Sequence, residues 1–130
     1  MVDYNQIMKE YDEFHGKTLQ MSDSAINGIA MTRQAYGSDL KQCSMIVDAI
    51  IDSDRLEHAS DGLVTEAAEI KDILKKAKWG KKVPLDINKV KDEAGDLFWY
   101  FWLLMKVKGL DFAEILKYNT TKLKERYNNV

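Results

Sequence analysis

A single proline, Pro84, punctuates the whole chain, and nowhere do Val, Ile and Thr alternate with polar residues between turn signals. Strands need that alternation, and helices are ended by proline, so long helices are the default for this sequence. The apolar spacing predicts helices over 3–15, 23–36, 39–52, 54–79, 87–108 and 112–127. Local punctuation agrees. Gly80 sits just past the fourth predicted helix, Pro84 lies in the connection, and Asp86 can cap the fifth. Gly109 closes the fifth, and Asp111 with Glu114 makes a capping-box start for the sixth. No repeat or low-complexity linker interrupts the pattern, so a single all-α domain over 1–130 is expected.

The fifth predicted helix adds a second constraint. Its stretch "LFWYFWLLM", residues 97–105, is apolar on every side, and such a helix must be covered all round. A chain of 130 residues supplies few helices to surround it, so burial at a subunit interface is expected. That makes the protein a homo-oligomer, most simply a dimer. A central helix within a monomer is the alternative.

Two acid pairs stand beside apolar stripes. On the fourth predicted helix, Leu63, Ala67, Ile70, Leu74 and Ala77 form a narrow apolar line, with Glu66 and Glu69 on its flank. On the fifth, Glu93 and Asp96 flank Val90, Leu97 and Leu104. Residues three apart share a helix face, so each pair can converge on one point. If the two helices pack antiparallel across the short 80–86 connection, four carboxylates meet in one cleft. Such a group repels itself unless a cation neutralises it, and all-oxygen ligands suit Mg²⁺ or Mn²⁺ rather than zinc. Acid pairs of this spacing also occur on solvated helices with no metal at all. A di-iron carboxylate site would need Glu-x-x-His on two helices. The only histidines, His15 and His58, follow Asp12 and Arg55 at that spacing, so that reading fails.

Charge and cysteine content exclude other classes. Net charge is −2, which gives no electrostatic case for nucleic acid or an anionic membrane as partner. Cys43 is the one cysteine, it lies in an apolar stretch, and it suits a reducing compartment as a buried small hydrophobe. The first residues lack the basic start and apolar run of a signal peptide. The nine-residue apolar run is far short of the roughly 20 needed to span a bilayer. A cytoplasmic protein is expected.

The segments "LEHASDGLVTEAAEIKDILKKAKWGKK", "VKDEAGDLFWYFWLLMKVKGLDFAEIL" and "NTTKLKERY" together resemble the MazG-like nucleoside triphosphate pyrophosphohydrolases, across about residues 54–127. These belong to an all-α superfamily that also contains dimeric dUTPases and phosphoribosyl-ATP pyrophosphohydrolase. The family pattern is E-E-x-x-E, a spacer, then E-x-x-D, with a Lys- and Arg-bearing last helix. Glu66 and Glu69 match its second and third glutamates, and Glu93 and Asp96 match the E-x-x-D. Thr65 stands where the family has the first glutamate, and residues 1–53 match nothing in the pattern. The resemblance implies Mg²⁺-dependent cleavage of a (d)NTP between its α- and β-phosphates by metal-activated water, giving a (d)NMP and pyrophosphate. It implies Glu66, Glu69, Glu93 and Asp96 as metal ligands, with Glu69 also orienting the water. Phosphoribosyl-ATP is the alternative substrate. A non-catalytic helical interaction protein that kept the fold is the alternative class, and Thr65 is the feature that favours it.

On the last predicted helix, Phe112, Leu116 and Leu123 make a core stripe with Ile115 and Tyr127 beside it. Asn119 falls in its middle, with Lys122 and Arg126 to one side. A polar residue at a core position needs a partner. In the family the corresponding Asn and Lys contact nucleotide; a structural hydrogen bond is the plainer explanation. His58 and Gly62 lie on the same flank as the acids, so His58 could contact a base or phosphate in space left by Gly62. A surface histidine explains it as well. Lys71, Lys75 and Lys78 lie on the opposite flank and read as a solvated face, Lys81 and Lys82 could reach a triphosphate, and Trp79 is expected to anchor its helix end.

Overall fold

The computed structural model describes all residues except Val2, Lys81, Lys82, Asn129 and Val130, together with the side chains of all but Lys17 and Thr18 among the rest. Five helices and no strand occur among the described residues: α1 (Tyr4–Thr18), α2 (Asp23–Tyr36), α3 (Leu40–Trp79), α4 (Ile87–Lys108) and α5 (Phe112–Arg126). The all-α expectation holds. No helix among the described residues is long and apolar enough to cross a membrane.

The caps follow the chemistry of their residues. Asp3, Asp86 and Asp111 each accept a hydrogen bond from backbone N–H groups of the first turn they precede. Gly109 closes α4 in the left-handed region at φ 63°, where a side chain would be strained, and the N–H of Leu110 donates to the Met105 carbonyl at 2.9 Å.

One boundary departs from expectation. Residues 39–52 and 54–79 were expected as two helices, yet 40–79 is one unbroken helix. Asp52, Ser53 and Asp54 have modest helix propensity, but they are not breakers, and no glycine or proline lies between Leu40 and His58. Asp54 uses its carboxylate elsewhere. It accepts from the backbone N–H of Ser22 at 3.1 Å and from the Ser22 hydroxyl, tying down the residue that caps α2. With its side chain so engaged, it does not compete for its own backbone.

The chain divides into two compact units, Met1–Asp54 and Arg55–Val130. In the first, α2 buries Ala25, Ile29 and Thr32 along one face, and the Thr32 hydroxyl donates to the Gly28 carbonyl at 2.8 Å. Cys43 is half-buried, less enclosed than its apolar neighbourhood suggests. In the second unit, α3 and α4 run antiparallel. Glu69 meets Glu93, and Gly62 meets Tyr100, so both contacts belong to one register. Ala59 and Leu103, 1% and 0% exposed, lie at the matching level one turn further along. The start of α5 joins this pair through Phe112, whose ring lies edge-on to Phe98 at 5.5 Å.

Two apolar faces are covered to different extents. No residue from Leu97 to Met105 is exposed, and Trp102 and Leu103 are 3% and 0% exposed. Six of the nine, Leu97 to Phe101 and Leu104, are half-buried, so the single chain covers this apolar helix only in part. The stripe on the last helix goes the other way: α5 buries no residue, Leu116 is 51% exposed, and Leu123 and Tyr127 are exposed with it. Its periodicity marks an apolar face that a single chain leaves open.

Candidate metal site

The antiparallel register brings three of the four expected acids together, and Asp96 is near enough only for its charge to act on Glu69. Carboxylate oxygens of Glu66, Glu69 and Glu93 all lie within 4.8 Å of one another. Glu66 and Glu93 are half-buried, whereas Glu69 and Asp96 are exposed. Glu69 is held above the ordinary glutamate range, first by a side-chain hydrogen bond with Glu93 and then by the Glu93 charge. Desolvation adds to this, and the charges of Asp96 and Asp72 push the same way. A hydrogen bond between two carboxylates needs a proton on one of them, and a cation at the same place does the same neutralising work once that proton is lost. The donor set is oxygen throughout and fits a hard divalent ion such as Mg²⁺ or Mn²⁺. Asp72 was not expected near the cluster; one turn beyond Glu69 on the same helix, it also pairs with Lys76 at 2.6 Å. Its three-residue spacing from Glu69 was the signal available in the sequence.

The other candidate residues are placed differently. Asn119, Lys122 and Arg126 are exposed on α5, and no hydrogen bond or ion pair ties them to the acids among the described residues. Asn119 therefore does not occupy a core position in the single chain. His58 is exposed, with its ring edge-on to Tyr100 at 5.3 Å and to Trp99 at 5.8 Å. Gly62 leaves no space for a ligand: a Cβ there would collide with Cγ, Cδ1 and Cε1 of Tyr100. The Thr65 hydroxyl donates to the Asp61 carbonyl of its own helix at 3.0 Å, so its proton is spent on the backbone.

On the far flank of α3, Lys71, Lys75 and Lys78 are exposed, as expected of a solvated face. With Ala67, Ile70, Leu74 and Trp79 they line an open groove of about 520 Å³. Trp79 does not anchor its helix: it is 74% exposed, with the Lys78 ammonium 4.9 Å above its ring. Lys81 and Lys82 lie outside the described residues.

Comparison with known proteins decides the family. The family described as MazG nucleotide pyrophosphohydrolase domain matches residues 55–130, more than half of the chain and the same stretch as the second compact unit. This chain belongs to the MazG family. Neither a curated protein nor a solved structure matches it. The acid cluster lies wholly inside the MazG domain, and the unit before it, up to Asp54, lies outside the match.

Proposed function

We propose that this MazG domain is a Mg²⁺-dependent nucleotide pyrophosphohydrolase, with Mn²⁺ able to substitute, that splits a (d)NTP into a (d)NMP and pyrophosphate. The observation that carries the reading is the convergence of Glu66, Glu69 and Glu93 within 4.8 Å inside a MazG domain. Glu66, Glu69, Glu93 and Asp96 are the residues proposed to hold the cation. When bound, it neutralises the carboxylates and the phosphate oxygens and makes a water molecule a stronger nucleophile.

Glu69 is the proposed orienter of that water, by its match to the third glutamate of the family pattern. The water oxygen bonds to the α-phosphorus, the bond to the α–β bridging oxygen breaks, and pyrophosphate leaves with that oxygen. The proton released by the water passes to Glu69 and then to solvent. Asn119, Lys122 and Arg126 are the proposed polar contacts to the nucleotide, with His58 at the edge of the site. The exposed apolar residues of α5 and the α3 groove support a homo-oligomer, most simply a dimer, and the one cysteine, Cys43, suits a cytoplasmic setting.

A second reading has one observation behind it. Thr65 replaces an acid of the family pattern and spends its hydroxyl proton on the Asp61 carbonyl, as in a domain that kept its fold as an interaction module and lost its chemistry. A panel of nucleotides with Mg²⁺, read by pyrophosphate release, separates the two. Turnover of any (d)NTP that Glu93→Gln abolishes supports the enzyme. No release across the panel, phosphoribosyl-ATP included, leaves the interaction module.

A further inference from the structure

The helix pair that carries the acids is keyed by a ring on a bare backbone. Gly62 is buried in the interior of α3, although glycine costs such a helix about 1 kcal/mol relative to alanine. Tyr100 explains why it is tolerated. Its ring fills the volume that a Cβ at position 62 would take, with three ring atoms inside any permissible carbon–carbon separation. His58 and Trp99 pack edge-on against the same ring, at 5.3 Å and 5.0 Å, and against each other at 5.8 Å, so the ring belongs to one three-ring cluster.

The contact bears directly on the acids. Gly62 precedes Glu69 by seven residues, and Tyr100 follows Glu93 by seven. Seven residues are close to two full turns, so the ring contact and the carboxylate contact lie on the same faces of both helices, about 10 Å apart along the axis. The separation of packed helices is set by the side chains at their contacts. A ring locked onto Gly62 therefore fixes how closely Glu93 approaches Glu69 two turns away. A cation needs that closeness, since Mg²⁺ or Mn²⁺ accepts oxygens only at about 2.0–2.2 Å.

We propose that Tyr100, seated on Gly62, is a positioning residue for the divalent-cation site: it sets the spacing of α3 and α4 at which Glu69 and Glu93 can ligate together. This rests on the reading of the carboxylates as cation ligands. Tyr100 touches neither cation nor substrate in this role and acts only through the helix pair.

The test is Mn²⁺ affinity of the full chain, measured by the loss of the free-ion signal in electron paramagnetic resonance, well below the melting temperature of each variant. Tyr100→Phe keeps the ring and should bind Mn²⁺ within about threefold of wild type. Tyr100→Leu removes the ring, and Gly62→Ala displaces it; each should weaken binding about tenfold or more, the range seen when supports of metal ligands are removed. The double variant should be little worse than the weaker single, because both act on one contact. A merely structural ring would lower the melting temperature of Tyr100→Leu and leave the affinity per folded molecule unchanged, and that result overturns the proposal. Should Tyr100→Leu fail to fold, Gly62→Ala decides alone, and wild-type affinity in it overturns the proposal equally. If wild-type protein binds no Mn²⁺, the carboxylate reading falls and the positioning role falls with it. If wild type binds and all variants match it, only the positioning role is lost.

Discussion

Addition of Mg²⁺ or Mn²⁺ should stabilise this protein, and the size of the effect follows from its length. The folded state holds Glu66, Glu69 and Glu93 together, whereas the unfolded chain lets them separate. Glu69, its carboxyl held above the ordinary range by Glu93, binds its proton more tightly folded than unfolded. It therefore supports the fold at pH below the usual glutamate range, and that support is lost as pH rises through the raised value. At neutral pH the cluster is a liability in the metal-free protein, and a cation that binds only the folded state relieves it. At about 100 times its dissociation constant, such a ligand contributes about 2.7 kcal/mol. With an unfolding entropy of about 2.1 cal/mol/K per residue, that raises the melting temperature by about 10 °C if the whole chain melts together. If the unit from Arg55 onward melts alone, the shift is about 17 °C. Scanning calorimetry with and without cation measures it. Glu69→Gln should raise the metal-free melting temperature at pH 7, do so less at pH 4, and lose most of the cation-dependent rise. Asp48→Asn, an exposed acid outside the cluster, should keep that rise. An undiminished rise in both Glu69→Gln and Glu93→Gln would refute the reasoning, because the cation would then be binding elsewhere.

Three further outcomes are expected. Wild-type protein should sediment as a dimer or larger at micromolar concentration, and Leu116→Glu should dissociate it while circular dichroism stays helical; Trp102→Glu should instead unfold the chain, since Trp102 is 3% exposed and a buried charge there is left unpaired. Asn119→Ala should lower kcat/KM about tenfold while the protein still sediments as wild type does, and unchanged turnover would remove Asn119 from the site. Gly109→Ala forces a side chain into the left-handed region and should cost about 1–2 kcal/mol in thermal melts with little effect on cation affinity.

The acid cluster was legible in the sequence because two independent regularities meet in it. Three-residue spacing puts each pair on one helix face, and a short connection makes the two helices antiparallel neighbours. Glu66, Glu69 and Glu93 follow from those alone. Other residues carried two meanings that only packing resolves. Asp54 looks like a helix start, because a short carboxylate can bond its own backbone, but here it bonds Ser22 across 32 positions and the helix runs on. Gly62 looks like room for a ligand, and the room is taken by a ring 38 residues away. Trp79 and the stripe on α5 show a further limit: periodicity reveals which face is apolar, and it does not reveal what covers that face.

That limit joins the assembly question to the catalytic one. Asn119 sits among Leu116, Leu123 and Tyr127 on a face that the single chain leaves exposed. Exposed, its amide is satisfied by water and offers a nucleotide little that solvent does not. Covered by a second copy of the chain, the same amide becomes a buried polar group in need of a partner, and a contact with nucleotide gains strength from the exclusion of water. Assembly and substrate affinity should then fall together. Leu116→Glu leaves every acid in place and lies three residues from Asn119, so a monomeric Leu116→Glu protein should still bind Mn²⁺ with near wild-type affinity. Its KM for the best nucleotide should nevertheless rise about tenfold or more, the equivalent of one lost hydrogen bond to a charged group. Titrating protein concentration separates this from a direct effect of the new charge: wild type diluted below its dimer dissociation constant should show the same loss. A dilute, monomeric wild-type protein that keeps its full affinity for nucleotide would sever the link and leave the open face of α5 without a part in the chemistry.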